Sequence, residues 1–265
     1  MTFADTLCVI RGGGDLATGV VHRLYCAGFP VVVLELERPR VVRRMAAVAQ
    51  AMFSGEVQID RLLARRVMLE NAARVRGAAI PVLADPNGDA IPRLRPAVVV
   101  DARMAKMPLD TTLHAAPLVV GLGPGFVAGE NCHAVIETNR GHDLGRVIWR
   151  GSAQANTGQP EPVMGYGDAR VLRAPIAGVL HARKQIGELI QPAETVAYVD
   201  AQPLLAPFGG VLRGLLYDGL TVQVGEKVGD LDPRGQIRYC HTISDKSLAI
   251  GGGVLEAVLT WLQST

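Results

Sequence analysis

The chain has 265 residues, 49% of them hydrophobic and 20% charged, which suits about two globular domains and excludes a disordered or solvating tail. Lys plus Arg (27) nearly balances Asp plus Glu (25) without a long basic stripe, so a general nucleic-acid binder is excluded. No apolar run reaches the roughly 18 residues a membrane span needs, and no membrane partner is expected.

In chain order, the first 37 residues predict one βαβ unit. Leu7 to Ile10 is a short apolar run, followed by Arg11 and Gly12-Gly-Gly-Asp-Leu-Ala17. Leu16, Val20, Leu24 and Ala27 recur at helical spacing, and Gly28 ends the helix. Val31 to Leu36 reads as a strand buried on both faces. Strands are also predicted at Val67 to Leu69, Ile80 to Leu83, Ala97 to Val100, Leu118 to Leu122 and Ala134 to Ile136, with a helix at Val41 to Phe53. This alternation predicts a Rossmann-like α/β domain over 1–151 with a parallel sheet. Residues 152–170 read as a linker. Over 171–233 a gap-free repeat appears, in which Ala174-Pro-Ile-Ala-Gly-Val-Leu180 matches Ala206-Pro-Phe-Gly-Gly-Val-Leu212. Gly187/Gly219, Glu194/Glu226, Val196/Val228 and Asp200/Asp232 continue it, so two copies of one β unit are predicted. The last segment, 234–265, carries Gly251-Gly252-Gly253 before a helix apolar on nearly every face, expected to pack back on the first domain.

The opening Met-Thr-Phe-Ala-Asp-Thr has no basic segment leading into an apolar core, and Cys8, Cys26, Cys132 and Cys240 form no Cys-x-x-Cys pair. A cytoplasmic protein with reduced thiols is expected. A homo-oligomer is compatible with an α/β domain of this size.

Gly12, Gly14 and Ala17 fit a G-x-G-x-x-A dinucleotide fingerprint between a strand and a helix. The glycines admit a tight turn and the approach of a pyrophosphate to backbone N–H groups, the small third residue packs helix on strand, and the helix N-terminus attracts the anion. A βα turn that needs glycines only for its own geometry fits the same letters. Glu35 and Glu37, at the end of the second strand, are the candidate ribose ligands, and their alternation lets only one face the rim. Asp15 opposes a phosphate at the helix start and is otherwise a capping residue. Gly121, Gly123 and Gly125 follow another strand, and Asp101 and Lys106 lie on the same rim. Arg140 is a candidate anion clamp and His142 a candidate acid/base. Cys240, beside His241, is a candidate activated thiol, and Lys246 or the Gly251–Gly253 helix start a second anion site. No dedicated metal-ligand spacing is present.

Together, Gly12-Gly-Gly-Asp-Leu-Ala-Thr-Gly19, Arg43-Arg44, Gly121-Leu-Gly-Pro-Gly-Phe126, Glu137-Thr-Asn-Arg-Gly-His-Asp-Leu-Gly145, Asn156-Thr-Gly158 and Ile243-Ser-Asp-Lys246 resemble, in one order and essentially end to end, the YqeB-type accessory proteins of selenium-dependent molybdenum hydroxylase systems. More loosely, the first part is similar to XdhC/CoxF-like maturation factors. The resemblance implies a bacterial cytoplasmic protein whose partner is a molybdenum hydroxylase or its maturation machinery; with the glycine turn, the leading expectation is a nucleotide or the pyrophosphate-bearing molybdenum cofactor as ligand, and Cys240 is an expected carrier of sulfur or selenium. It does not imply that a reaction is catalysed. An NAD(P)-dependent oxidoreductase using His142, and a non-catalytic scaffold, are the alternatives. The repeat is similar to a biotinyl/lipoyl-type barrel-sandwich. Its joining hairpin, Val199-Asp-Ala-Gln-Pro-Leu-Leu205, has no lysine for biotin or lipoate, so a docking role is expected.

Overall fold

In the computed structural model, residues 3–104, 110–155 and 162–264 are described. Lys106 and the Asn156-Thr157-Gly158 stretch fall outside them. The fold is mixed α/β, with one large, mainly parallel sheet and further antiparallel sheets. By contacts the chain divides into one unit of residues 1–39, 48–156 and 243–265, and a second of 40–47 and 157–242.

The first unit opens with β1 (Cys8–Arg11), α1 (Asp15–Cys26) and β2 (Val31–Glu35). A short α2 (Ala51–Ser54) leads to the hairpin β3 (Glu56–Ile59) and β4 (Leu62–Arg66). Then come α3 (Ala72–Val75), β5 (Ile80–Ala84), α4 (Ile91–Leu94), β6 (Val98–Asp101) and β7 (Leu118–Leu122). Short strands β8 (Val127–Ala128), β9 (Ala134–Ile136), β10 (Val147–Ile148) and β11 (Gly151–Ser152) complete it. The sheet order is β10-β9-β7-β6-β1-β2-β5-β4-β3. β4, β5, β2, β1, β6, β7 and β9 run parallel, and β3 and β10 close the edges antiparallel. The order reverses at β1, so the chain leaves its carboxyl end in two directions, the place where open α/β sheets leave a crevice. Val31, Val32 and Val33 are buried in the sheet, which accounts for their unbroken apolar run.

Two predicted elements differ. The strand expected at Val67 to Leu69 is instead the exit from β4 into a 3-10 turn at Leu69–Asn71. The helix expected at Val41 to Phe53 is broken into 3-10 turns at Arg44–Ala46 and Val48–Gln50 before α2, and its first part belongs to the second unit.

That unit holds β12 (Val171–Arg173), β13 (Gly178–Ala182), β14 (Leu189–Ile190), β15 (Thr195–Val199), β16 (Gln202–Leu205), β17 (Gly210–Leu215), β18 (Thr221–Val222), β19 (Lys227–Asp232) and α5 (Arg238–His241). Its two four-stranded sheets, β12-β19-β17-β14 and β16-β15-β13-β18, are the sequence repeat in three dimensions. Each half gives its middle strand to the other half's sheet: β14 pairs β17, and β18 pairs β13. Backbone bonds are reciprocal, with Gly187 N donating to Leu212 O while Gly219 N donates to Leu180 O. Neither half can close its sheet alone, so the two fold as one body. Residues 40–47 join it because Val42 O accepts from Leu215 N, Arg44 Nε donates to Leu215 O, and Arg40 pairs with Glu226. The Leu215–Val42 backbone bond and the two arginine contacts hold the segment out of helical geometry.

The first unit ends in α6 (Asp245–Gln263). This helix starts six residues before the expected glycine start at Gly251, at a Ser244 cap whose hydroxyl accepts from Ser247 N. The glycine triplet is therefore inside the helix. A Cβ on Gly251 would sit 2.3 Å from Gly19 O of α1, and one on Gly19 would sit 2.0 Å from Ser247 O. Glycine at both positions lets α1 and α6 touch backbone to backbone.

Candidate functional site

The β1–α1 turn is built around Gly12, whose φ of +93° suits glycine and whose N–H donates to Leu34 O at 2.7 Å. A Cβ there would press on the backbone of Ala102 and Arg103 at 3.2 Å. Gly14 is the helix N-cap without a side-chain cap. Asp15 is the first helical residue rather than the cap; it accepts a bond from Ser247 Oγ at 3.0 Å and its charge suits the helix N-terminus. Ala17 is buried in the core.

Of the two glutamates, Glu35 faces the turn. Its Oε2 accepts from Gly13 N and its Oε1 from Leu36 N, each at 2.7 Å. Burial raises its pKa, against the opposing help of those two amides. Glu37 lies past the strand end, ion-paired to Arg66, and lines a cavity of about 1040 Å³ with Arg74, Leu83 and Arg93.

On the other side of β1, the rim carries a network in which Asp101 was an expected site residue and Arg11, Asp110 and Thr111 were not. Arg11, only 3% exposed, forks onto Asp110 with Nη1–Oδ1 and Nη2–Oδ2 both 3.0 Å. Asp101, fully buried, accepts from Arg103 Nε, from Arg103 Nη2 and from Thr111 Oγ1. Arg103 Nη2 also reaches Asp110 at 2.6 Å. Arg11 holds the Asp110 carboxyl far below the usual carboxylate range, with Arg103 adding to the effect. The signal available beforehand was an arginine at the end of an otherwise apolar strand.

The remaining candidates spread out. A Cβ on Gly121 would meet the Phe126 ring at 2.2 Å, so this glycine serves packing. Gly123 (φ +73°) sits against Thr138 Oγ1, and Gly125 (φ +101°) has open space beside it. Arg140, the expected anion clamp, is bidentate to Asp245, at 2.7 and 2.9 Å. Lys246 lies in the first turn of α6, not beside a glycine start. His142 is on an exposed loop. Cys240 is buried, donates to Leu212 O, and has its pKa raised by burial, the opposite of the activation expected beside His241. Among the described residues, no group of three or more His, Cys, Asp and Glu is arranged to hold a metal ion, and no helix is long and apolar enough to cross a membrane.

No family model matches the chain. Two solved structures show weak likeness. One is a succinylglutamate desuccinylase/aspartoacylase from Rhodobacter sphaeroides, 16% identical, covering 86% of this chain and 85% of that one at a TM-score of 0.27. The other is a succinylglutamate desuccinylase from Silicibacter sp. TM1040, 14% identical, covering 87% and 85% at 0.25. Neither score carries an argument about fold or activity. In sequence, the chain is 48% identical over 255 residues to "Uncharacterized protein YqeB" of Escherichia coli strain K12. The match takes in 96% of this chain and 47% of that protein, so the chain spans about half the length of the curated relative it matches. This similarity supports the YqeB-type resemblance over nearly all of the present sequence.

Proposed function

We propose that the chain is an accessory protein for a molybdenum hydroxylase, and that its first unit is a Rossmann-like domain holding a nucleotide or the pyrophosphate-bearing molybdenum cofactor. The observation that carries this reading is the bond between the buried Glu35 carboxylate and Gly13 N–H. It puts a hydroxyl-binding carboxylate against the glycine turn, beside the point where the sheet order reverses. A Cβ at Gly12 would press on the backbone of Ala102 and Arg103, so that glycine serves the turn itself, and the fit to such a group rests on Glu35. In this reading Gly12 N–H and Gly13 N–H stay bonded to Leu34 O and Glu35, the N-terminus of α1 faces the phosphates, and Glu35 accepts from a ribose or pterin hydroxyl or amine. The bound group would supply any redox chemistry.

Arg140 is taken up by Asp245 and does not support charge balance for the ligand; Lys106 lies outside the described residues. The buried thiol removes the case for Cys240 as a carrier of sulfur or selenium. We read the second unit as a barrel-sandwich docking module for the hydroxylase machinery, on the reciprocal strand exchange of its two halves. The test compares cells with and without the gene. An inactive hydroxylase short of molybdenum cofactor, sulfur or selenium in the deletion strain is expected. Unchanged activity and content would overturn the maturation role and turn attention to NAD(P)-linked chemistry.

A further inference from the structure

We propose that Arg11 and Arg103 form an anion cradle at the carboxyl ends of β1 and β6, and that Asp110 is its displaceable internal occupant, replaced by the phosphate of an incoming ligand. Identifying that ligand with the one at the glycine turn rests on the function proposed above. The cradle stands on its own geometry.

Both guanidinium groups are held by partners other than Asp110. Arg11 donates to Thr111 Oγ1 at 2.8 Å and to the carbonyls of Asn87 and Pro86 at 2.9 and 3.4 Å. Gly88, at φ +82°, lies flat against it, because a Cβ there would come within 3.3 Å of the guanidinium carbon. Arg103 is fixed by the buried Asp101 through Nε and Nη2, and again by Thr111 at 3.2 Å. Removing Asp110 therefore leaves two oriented cations in place. The planar fork of Arg11 matches two oxygens of a phosphate as well as it matches a carboxylate.

The charges point the same way. Asp101 offsets one of the two arginines, and the second needs another anion, since a buried unpaired guanidinium is costly. That anion is now Asp110, whose side chain is 55% exposed while that of Arg11 is 4% exposed. An exposed carboxylate on a buried cation is the member of the pair that can leave. The cradle is also next to the glycine turn, because Gly12 abuts the backbone of Ala102 and Arg103. A phosphate seated there would lie on the ligand edge of the sheet.

The test is calorimetric titration of the 265-residue chain with inorganic pyrophosphate at fixed ionic strength. Asp110→Asn is expected to bind about tenfold more tightly than wild type, the worth of one charge-assisted contact. The gain should vanish in Asp110→Asn/Arg103→Gln. Equal affinity in wild type and Asp110→Asn, or a gain that survives in the double variant, would overturn the proposal. If Asp110→Asn loses its cooperative melt, Arg103→Gln alone decides, since it must weaken pyrophosphate binding to the otherwise native chain, and unchanged binding overturns the cradle. Nucleotide titration of Glu35→Ala separates the two readings. Nucleotide binding unaffected by Glu35→Ala, with pyrophosphate binding tightened by Asp110→Asn, would sink the glycine-turn reading and keep the cradle. The reverse pattern would sink the cradle alone.

Discussion

Glu35 shows what a single residue in this chain can report. Burial raises its pKa, so the folded chain keeps its proton to a higher pH than the unfolded chain, where the value is near 4.5. Its contribution to stability is full below that value and is lost as pH rises through the raised one. Glu35→Gln cannot ionise, so its urea midpoint should fall less than that of wild type as pH rises above the ordinary carboxylate range. Parallel curves would contradict the assignment. Cysteine accessibility is a second check at this scale. Cys26 is exposed, whereas Cys8, Cys132 and Cys240 are buried, with Cys8 pushed up to about 12 and Cys132 to about 11. A thiol reagent should label Cys26 in the native chain and reach the other three only on unfolding; rapid labelling of Cys240 would restore it as a candidate nucleophile. Glu35 was legible as a carboxylate at a strand end after a glycine turn, but its choice over Glu37 was not, because strand alternation gives no absolute direction. The Arg11–Asp110 pair was not legible at all, since its partners are 99 residues apart with no periodicity linking them.

At the scale of elements, the glycine triplet of α6 gives a sharp contrast. A Cβ on Gly251 would meet Gly19 O at 2.3 Å, whereas one on Gly252 would have nothing within 4 Å. Gly251→Ala is expected to cost about 1–3 kcal/mol by forcing the helices apart. Gly252→Ala should instead gain about 0.5–1 kcal/mol from helix propensity and reduced chain entropy. Denaturant midpoints measure both, and equal effects would contradict the backbone contact of α1 with α6. The triplet looked like a helix start because glycines usually mark element ends. Its real cause, a close neighbour, has no local signature. The strands β7 and β9 were readable from their apolar runs to the residue. The β3–β4 hairpin was not, because an edge pair carrying Glu56, Gln58, Arg65 and Arg66 lacks a continuous apolar run.

For the molecule as a whole, the repeat was the most informative feature of the sequence. Matched residues 32 apart announced two copies of one unit, and the reciprocal pairing of β13 with β18 and β14 with β17 shows how they combine. The division of the chain was harder to read. Residues 40–47 pack with strands more than 160 residues away, a return that only contacts reveal, whereas a last helix packing back on the first part was expected from its apolar faces. The central claim is that the carboxyl edge of the large sheet binds a nucleotide or pyrophosphate-bearing cofactor through the glycine turn and Glu35. Its most direct test is an equilibrium titration of wild type, Gly12→Val and Glu35→Ala with NADH, ATP and molybdenum cofactor. Saturable binding of at least one ligand to wild type, lost in Gly12→Val and weakened about tenfold or more in Glu35→Ala, is expected. No binding by wild type, or equal binding by all three proteins, would contradict the account.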